Sequence, residues 1–215
     1  MKTSSLALCT LLLIVLALPA TAQVIYSDGP INGNVDAWTI NFGFIQSDSF
    51  NVTSNLSYPM TGASFGMWLF SGDTLTSAEM SITSEENFGT LYFDQVVAFT
   101  QGSCTVNQYG YNVCQENTSF NGPLLNAGTY WLNLQNAIVS SGDPVYWDEN
   151  AGPSQASNNS VGTMPGEAFT LLGAGSTTTT TSTTTTTTSV PEPSSLMLLG
   201  SGVLGLGALV RRKLM

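Results

Sequence analysis

Ala78-Glu79-Met80-Ser81-Ile82-Thr83 alternates apolar and polar side chains without a break. In an extended chain successive side chains point to opposite faces, so this stretch offers one face to a core and one to water. Working outward, the same period of two recurs. Ala63, Phe65, Met67 and Leu69 alternate with Ser64, Gly66, Trp68 and Phe70, as in a strand buried on one face and partly covered on the other. Leu91, Phe93, Gln95, Val97 and Phe99 form another row, and Tyr130, Leu132 and Leu134 alternate with Trp131, Asn133 and Gln135. Shorter strands are expected at Trp38–Ile45, Ser49–Thr53, Tyr111–Phe120 and Glu167–Leu172. Ser71-Gly72-Asp73, Asn121-Gly122-Pro123, Asn126-Ala127-Gly128 and Ser141-Gly142-Asp143-Pro144 supply turns between them. No stretch sustains a helical period. The pattern predicts an all-β fold, an antiparallel β-sandwich of jelly-roll type.

The two ends of the chain read differently. Lys2 followed by the apolar run Leu6–Leu18 and the small-residue pattern Ala20-Thr21-Ala22 is the order of a secretory signal peptide. The mature chain is then expected to begin at Gln23. Cys9 lies inside the apolar run after Leu8, where a lipidation site wants a small residue. Residues 176–189 are almost pure Thr and Ser, a composition that builds no core and serves as a flexible linker or an O-glycosylated stalk. The apolar stretch Leu196–Val210 precedes Arg211-Arg212-Lys213, which reads as a membrane span with a cytoplasmic stop signal. At ~1.5 Å per residue the run gives only about 22 Å of helix against a ~30 Å hydrocarbon core. It is a short anchor, and its four glycines, Gly200, Gly202, Gly205 and Gly207, weaken it further. The expected organisation is a signal peptide at 1–22, an ectodomain at 23–175, a linker at 176–189 and a sorting segment at 190–215.

Pro191-Glu192-Pro193, then a Gly- and Leu-rich span, then an Arg-rich tail, in this order, resemble the PEP-CTERM sorting signal. The resemblance covers residues 190–215. It implies that the chain is a substrate of an exosortase, a membrane-embedded cysteine-dependent transpeptidase of bacteria that make extracellular polysaccharide. The implied event is cleavage near Pro191–Pro193, with release or transfer to the outer surface. Within the ectodomain, Ala127–Leu134 and Asp48–Val52 are similar to strands of PEP-CTERM proteins with lectin-like sandwich ectodomains. That likeness implies a fold and no defined activity.

The charge pattern excludes whole classes of function. All four basic residues, Lys2, Arg211, Arg212 and Lys213, lie outside residues 23–175, and there is no His. Of the 14 acidic residues only Glu192 lies outside that segment, which leaves 13 facing no basic partner. Nucleic-acid binding lacks its cations, and phosphate chemistry lacks both its basic groups and a Walker pattern. Ser–His–Asp, Cys–His and Ser–Lys nucleophiles and His-containing zinc sites are excluded in the same way. The acids are expected to act as a solvating surface. Cys104 and Cys114, the pair left after signal cleavage, are expected to form a disulfide in an exported chain.

What survives is oxygen chemistry. Two-carboxylate glycoside hydrolysis would draw on Glu85, Glu86, Asp94, Asp148 or Glu149, but nothing in the sequence brings two of them together, so no enzyme is expected. Tyr146, Trp147, Asp148 and Asn150 place aromatics beside acids and amides in one loop, a set suited to a sugar, while the alternative makes Tyr146 and Trp147 half-buried sandwich-edge residues. A structural Ca²⁺ would use Asp143, Asp148, Glu149 or Asn150, whose spacing fits no EF-hand; no other cofactor is expected. The expected protein is exported and anchored in the inner membrane before processing. It then becomes a surface or matrix component with a structural or interaction role toward extracellular polysaccharide. A carbohydrate-binding module is the alternative.

Overall fold

The computed structural model describes residues 22–174. Apart from Ala22, the expected signal peptide, the Thr/Ser tract and the sorting segment with its apolar span lie outside the described residues. Those residues form thirteen strands and no helix. In chain order they are β1 (Gln23–Ser27), β2 (Ala37–Thr39), β3 (Ile45–Val52), β4 (Met60–Leu69), β5 (Leu75–Glu85), β6 (Phe88–Ala98) and β7 (Thr100–Val106). Then come β8 (Asn112–Ser119), β9 (Gly128–Val139), β10 (Tyr146–Asp148), β11 (Ala156–Asn158), β12 (Gly162–Met164) and β13 (Phe169–Gly173).

The strands make two sheets, every pairing antiparallel. One runs β12-β11-β3-β9-β5-β6. In the other, β4 pairs along one side with β8, which in turn pairs with β7. Along its other side β4 pairs with β13 through residues 60–65 and with β10 through Met67 and Trp68. β1 flanks β13, and β2 flanks β10.

β10 and β13 therefore lie end to end on one flank of β4. The chain leaves that line after Asp148 and returns at Ala168, whose N–H donates to the Asp148 carbonyl at 2.7 Å. The intervening excursion, residues 149–167, crosses to the opposite sheet, where β11 pairs with β3 and β12.

The alternation rule locates the core. Ala63, Phe65, Met67 and Leu69 of β4, Ala78, Met80 and Ile82 of β5, and Tyr130, Leu132 and Leu134 of β9 all point between the sheets and are buried. At roughly 1.5–3 kcal/mol for each fully buried large apolar side chain, these rows supply much of the drive to close the sandwich. Cys104 on β7 and Cys114 on β8 are directly opposed and joined by a disulfide, with Cα atoms 4.0 Å apart.

The departures from the expected strands have local causes. The segment expected over 38–45 is broken by a turn in which Phe42 (φ 56°) and Gly43 (φ 86°) both adopt left-handed backbone. Only β2 and the start of β3 remain extended. On β6 the inward row is disturbed by register shifts opposite Ile82–Glu85. Leu91 is exposed as a result, while Val97 is buried.

Candidate functional site

The acids do not coat the surface as expected. Asp28, Asp48, Asp73, Glu116, Asp148, Glu149 and Glu167 are buried, seven of the 13 in the ectodomain. Burying a carboxylate without a cation is costly, so each must be accounted for by its partners.

Three of them end inward-facing apolar rows at the crossover of residues 149–167. On β1, past a bulge that leaves Val24 exposed, Tyr26 packs against the core and Asp28 follows two residues later; on β3 the row runs back from Val52 and Phe50 to Asp48 and Gln46; on β13 it runs back from Leu171 and Phe169 to Glu167. The rings next to these acids pack together, Tyr26 lying 6.0 Å from Phe50 and 5.4 Å from Phe169. Beyond that aromatic layer the core turns polar. Asp28, Asp48, Gln46 and Glu167 have no measurable exposure.

Each of these acids has one oxygen held and one left over. Asp28 Oδ1 accepts from the Tyr26 hydroxyl at 2.8 Å and the Ser154 N–H at 3.1 Å. Asp48 Oδ2 accepts from the Glu167 N–H at 2.6 Å. Glu167 Oε1 accepts from Gln46 Nε2 at 2.6 Å, and Gln46 Oε1 accepts in turn from Asn158 Nδ2 at 3.0 Å. Asp28 Oδ2, Asp48 Oδ1, Glu167 Oε2 and the Ser154 hydroxyl have no hydrogen-bond partner and no solvent contact.

Burial pushes the Asp48 carboxyl up to about 8, against the pull of the Glu167 N–H and the Ser154 hydroxyl, with the nearby Asp28 adding to the rise. Burial and repulsion from Asp48 raise Glu167 well above the usual carboxylate range. Among the described residues no three His, Cys, Asp or Glu side chains converge as a metal cage.

The residues expected to face a sugar are placed on both sides of a strand. Trp147 is fully buried, edge-on to Phe65 at 5.4 Å and Phe169 at 5.6 Å, with its Nε1–H donating to the Ala168 carbonyl at 3.0 Å. Asp148 is buried beneath the loop at residues 31–34. Its Oδ1 accepts from Trp68 Nε1 at 2.6 Å and Gly33 N at 3.0 Å, and its Oδ2 from Asn32 N at 2.8 Å. Burial raises its pKa, and these donors oppose the rise. Asn150 is buried, donating to the Asp28 carbonyl at 2.6 Å and accepting from Gly152 N at 2.6 Å. Only Tyr146 reaches solvent, and its phenol is raised by burial and by Tyr111.

The same contacts correct the expected calcium ligands. Asp148 is saturated by three donors, Glu149 Oε2 accepts from Trp38 Nε1 at 2.8 Å, Asn150 is occupied, and Asp143 is exposed. The unpartnered oxygens belong to Asp28, Asp48 and Glu167 instead. The carboxylates considered for hydrolysis lie on separate elements. Glu85 and Glu86 sit at the β5–β6 turn, Asp94 is exposed on β6, and Asp148 and Glu149 are buried at the end of β10. Glu86 is engaged by the Ser157 hydroxyl.

The outer face of β4 carries an aromatic stripe that the sequence reading did not assemble. Trp68 stacks on Tyr109 at 5.7 Å and meets Tyr111 at 5.7 Å; Tyr111 in turn meets Phe70 at 5.0 Å and Tyr146 at 5.7 Å. Tyr109 is 58% exposed and Phe70 38%. Beside Tyr109 lies a polar groove of about 470 Å³ lined in part by Asn32, Asn34, Asn107, Gln108 and Gln115. The outward Trp68 and Phe70 were visible in the β4 alternation. Their joining with Tyr109, Tyr111 and Tyr146 depends on the pairing of β4 with β8 and β10.

Residues 189–213, which contain Pro191-Glu192-Pro193 and Arg211-Arg212-Lys213, match the family model of the PEP-CTERM protein-sorting motif. The chain carries a PEP-CTERM sorting signal. A PEP-CTERM signal marks an exported, membrane-anchored precursor that an exosortase sorts. The match begins after the last strand and leaves the ectodomain outside it. No curated protein matches the chain.

Proposed function

We propose that this chain is a non-enzymatic, structural component of the bacterial surface or extracellular matrix, displayed among extracellular polysaccharide after its PEP-CTERM tail is processed. The PEP-CTERM match at residues 189–213 carries this reading. In it, residues 1–22 direct export and are removed. Leu196–Val210 holds the precursor in the inner membrane, and Arg211-Arg212-Lys213 keeps the tail on the cytoplasmic side. Residues 176–189 then space a jelly-roll-type sandwich from the membrane. An ectodomain without a basic side chain suits a place outside the cell, where attraction to nucleic acid and anionic lipid has no use. The test compares the size and location of the protein in cells with and without a functional exosortase. A shortened form at the outer surface only when the enzyme works is the expected result. Full-length protein in the same fraction of both strains would overturn the reading.

A second reading, carbohydrate binding, is favoured by the stripe from Tyr109 to Phe70 and the amide-lined groove beside it. Aromatic faces cover the apolar side of a sugar ring, and the amides of Asn34 and Gln108 suit hydroxyl groups, while Asn107 is held within the hairpin. Retention on the cell's own polysaccharide that Tyr109→Ala abolishes is expected. Equal retention of both proteins, or of neither, excludes this stripe as the sugar site.

A further inference from the structure

We propose that Asp28, Asp48 and Ser154 form a binding site for one hard divalent cation, of which Ca²⁺ is the best match, buried where residues 149–167 cross between the sheets. The inference is independent of the sorting signal and of the sugar reading.

Three oxygens from three separate segments carry it. Asp28 Oδ2, Asp48 Oδ1 and Ser154 Oγ are all without a hydrogen-bond partner and out of reach of solvent. Their residues are nevertheless oriented. The Tyr26 hydroxyl and Ser154 N–H hold the other Asp28 oxygen, and the Glu167 N–H holds the other Asp48 oxygen. Native proteins rarely leave even one buried side-chain oxygen without a partner, so three in one place call for a missing one.

The backbone approaches these oxygens so closely that only glycine fits beside them. A Cβ added at Gly166 would lie 2.2 Å from Asp28 Oδ2 and 2.4 Å from Ser154 Oγ, so both oxygens face the bare α-carbon of this residue. A Cβ at Gly152 would lie 2.4 Å from the same Asp28 oxygen. Ser154 also stands close enough to Asp48 to favour its charged form.

The donor set selects the ion. The chain has no His, and both ectodomain cysteines are in the disulfide, so imidazole and thiolate ligands are absent. Two carboxylates and a neutral hydroxyl are hard oxygen donors. They suit Ca²⁺, which accepts mixed oxygens in flexible geometry at about 2.3–2.6 Å; Mg²⁺ demands a tighter octahedron. No third carboxylate has to converge. Water would complete the coordination.

The full chain, purified and stripped with a calcium chelator, should melt several degrees higher in about 5 mM CaCl₂, a concentration suited to extracellular calcium modules. Equilibrium dialysis of the stripped chain against CaCl₂ should saturate at one calcium per chain. Asp48→Asn should weaken calcium binding at least tenfold. Ser154→Ala, which keeps both carboxylates, should weaken it several-fold while leaving the melting temperature of the stripped chain little changed. Identical melting of the wild type with chelator and with CaCl₂ would overturn the proposal. So would an equal rise with MgCl₂, which would indicate general screening of the acids, or a calcium response that survives undiminished in both variants.

Discussion

Glu116→Gln tests how this ectodomain tolerates a buried acid far from the crossover. Glu116 lies on β8 between the inward-facing Cys114 and Thr118, opposite Phe65 of β4 and Gln101 of β7. It has no measurable exposure, and neither carboxylate oxygen has a hydrogen-bond partner. Burial pushes its carboxyl up from 4.5 to about 7, against a weaker opposing pull from Gln101. The folded state therefore holds this proton more tightly than the unfolded chain does. The resulting stability is fully present below about pH 4.5 and is lost as pH rises through about 7. A rise of that size corresponds to about 3 kcal/mol, and solvent screening through the exposed strand β7 reduces the usable part to ~2 kcal/mol. Glutamine keeps the shape and never ionises. Any constant cost of its amide cancels when the difference between the two proteins is followed across pH. Thermal unfolding of both, followed by circular dichroism with chelator present, should show the variant gaining ~2 kcal/mol on the wild type between pH 5 and pH 9. For a chain of this size that is about 4–8 °C in melting temperature. Parallel curves across that range, or a wild type that gains on the variant as pH rises, would refute the reasoning.

Three further substitutions probe the neighbourhood of β10. Asp148→Ala leaves three donors, Trp68 Nε1, Gly33 N and Asn32 N, without their acceptor. At roughly 1–3 kcal/mol for each buried unsatisfied group, it should cost about 3–5 kcal/mol in denaturant unfolding, and a loss under ~1 kcal/mol would mean that the carboxylate does not hold the 31–34 loop. Trp147→Ala should cost about 3–5 kcal/mol and Tyr146→Ala about 1 kcal/mol, because only the first side chain fills the core; a Trp147→Ala protein of unchanged stability would contradict that packing.

The sandwich was legible wherever a strand is long and buried on one face only. β4, β5 and β9 follow from their period of two almost residue by residue. β1 and β7 were missed because Gln23–Ser27 and Thr100–Val106 lack a clean alternation. β10, β11 and β12 were missed because three residues are too few to show a period. The sugar-facing group failed on a point the sequence already contained. Tyr146 and Trp147 are neighbours on an extended chain, so one must face inward when the other faces out. The buried acids were also within reach. Extending the inward rows by one step of two leads from Tyr26 to Asp28, from Phe50 to Asp48 and from Phe169 to Glu167. The assumption that unpaired carboxylates belong in water hid that step. What pattern reading lacks is the crossover of residues 149–167, a pairing between distant segments that turns one end of an apolar core into a closed polar chamber.

The buried acids of a domain without basic side chains differ in what their surroundings supply, and that difference separates the proton from the metal ion. Glu116 has no hydrogen-bond partner on either oxygen and only the weak pull of the Gln101 amide beside it, so a proton of its own is the cheapest remedy. Asp148 meets three donors and needs nothing more. Asp28 and Asp48 lie between these cases, each with one oxygen fixed and one free. A shared proton bridges oxygens about 2.5–3.0 Å apart. The free oxygens of Asp28, Asp48 and Ser154 make no well-formed hydrogen bond to one another, although Ser154 lies close to Asp48. Ligands around one Ca²⁺ at about 2.4 Å and near right angles stand roughly 3.4 Å apart, too far for a strong hydrogen bond and close enough for one ion to reach all of them. Asp48→Asn distinguishes the two remedies. If a proton serves this chamber, the amide replaces it and the variant melts at or above the wild type whether or not calcium is present. If an ion serves it, the variant loses the calcium-dependent rise that the wild type keeps.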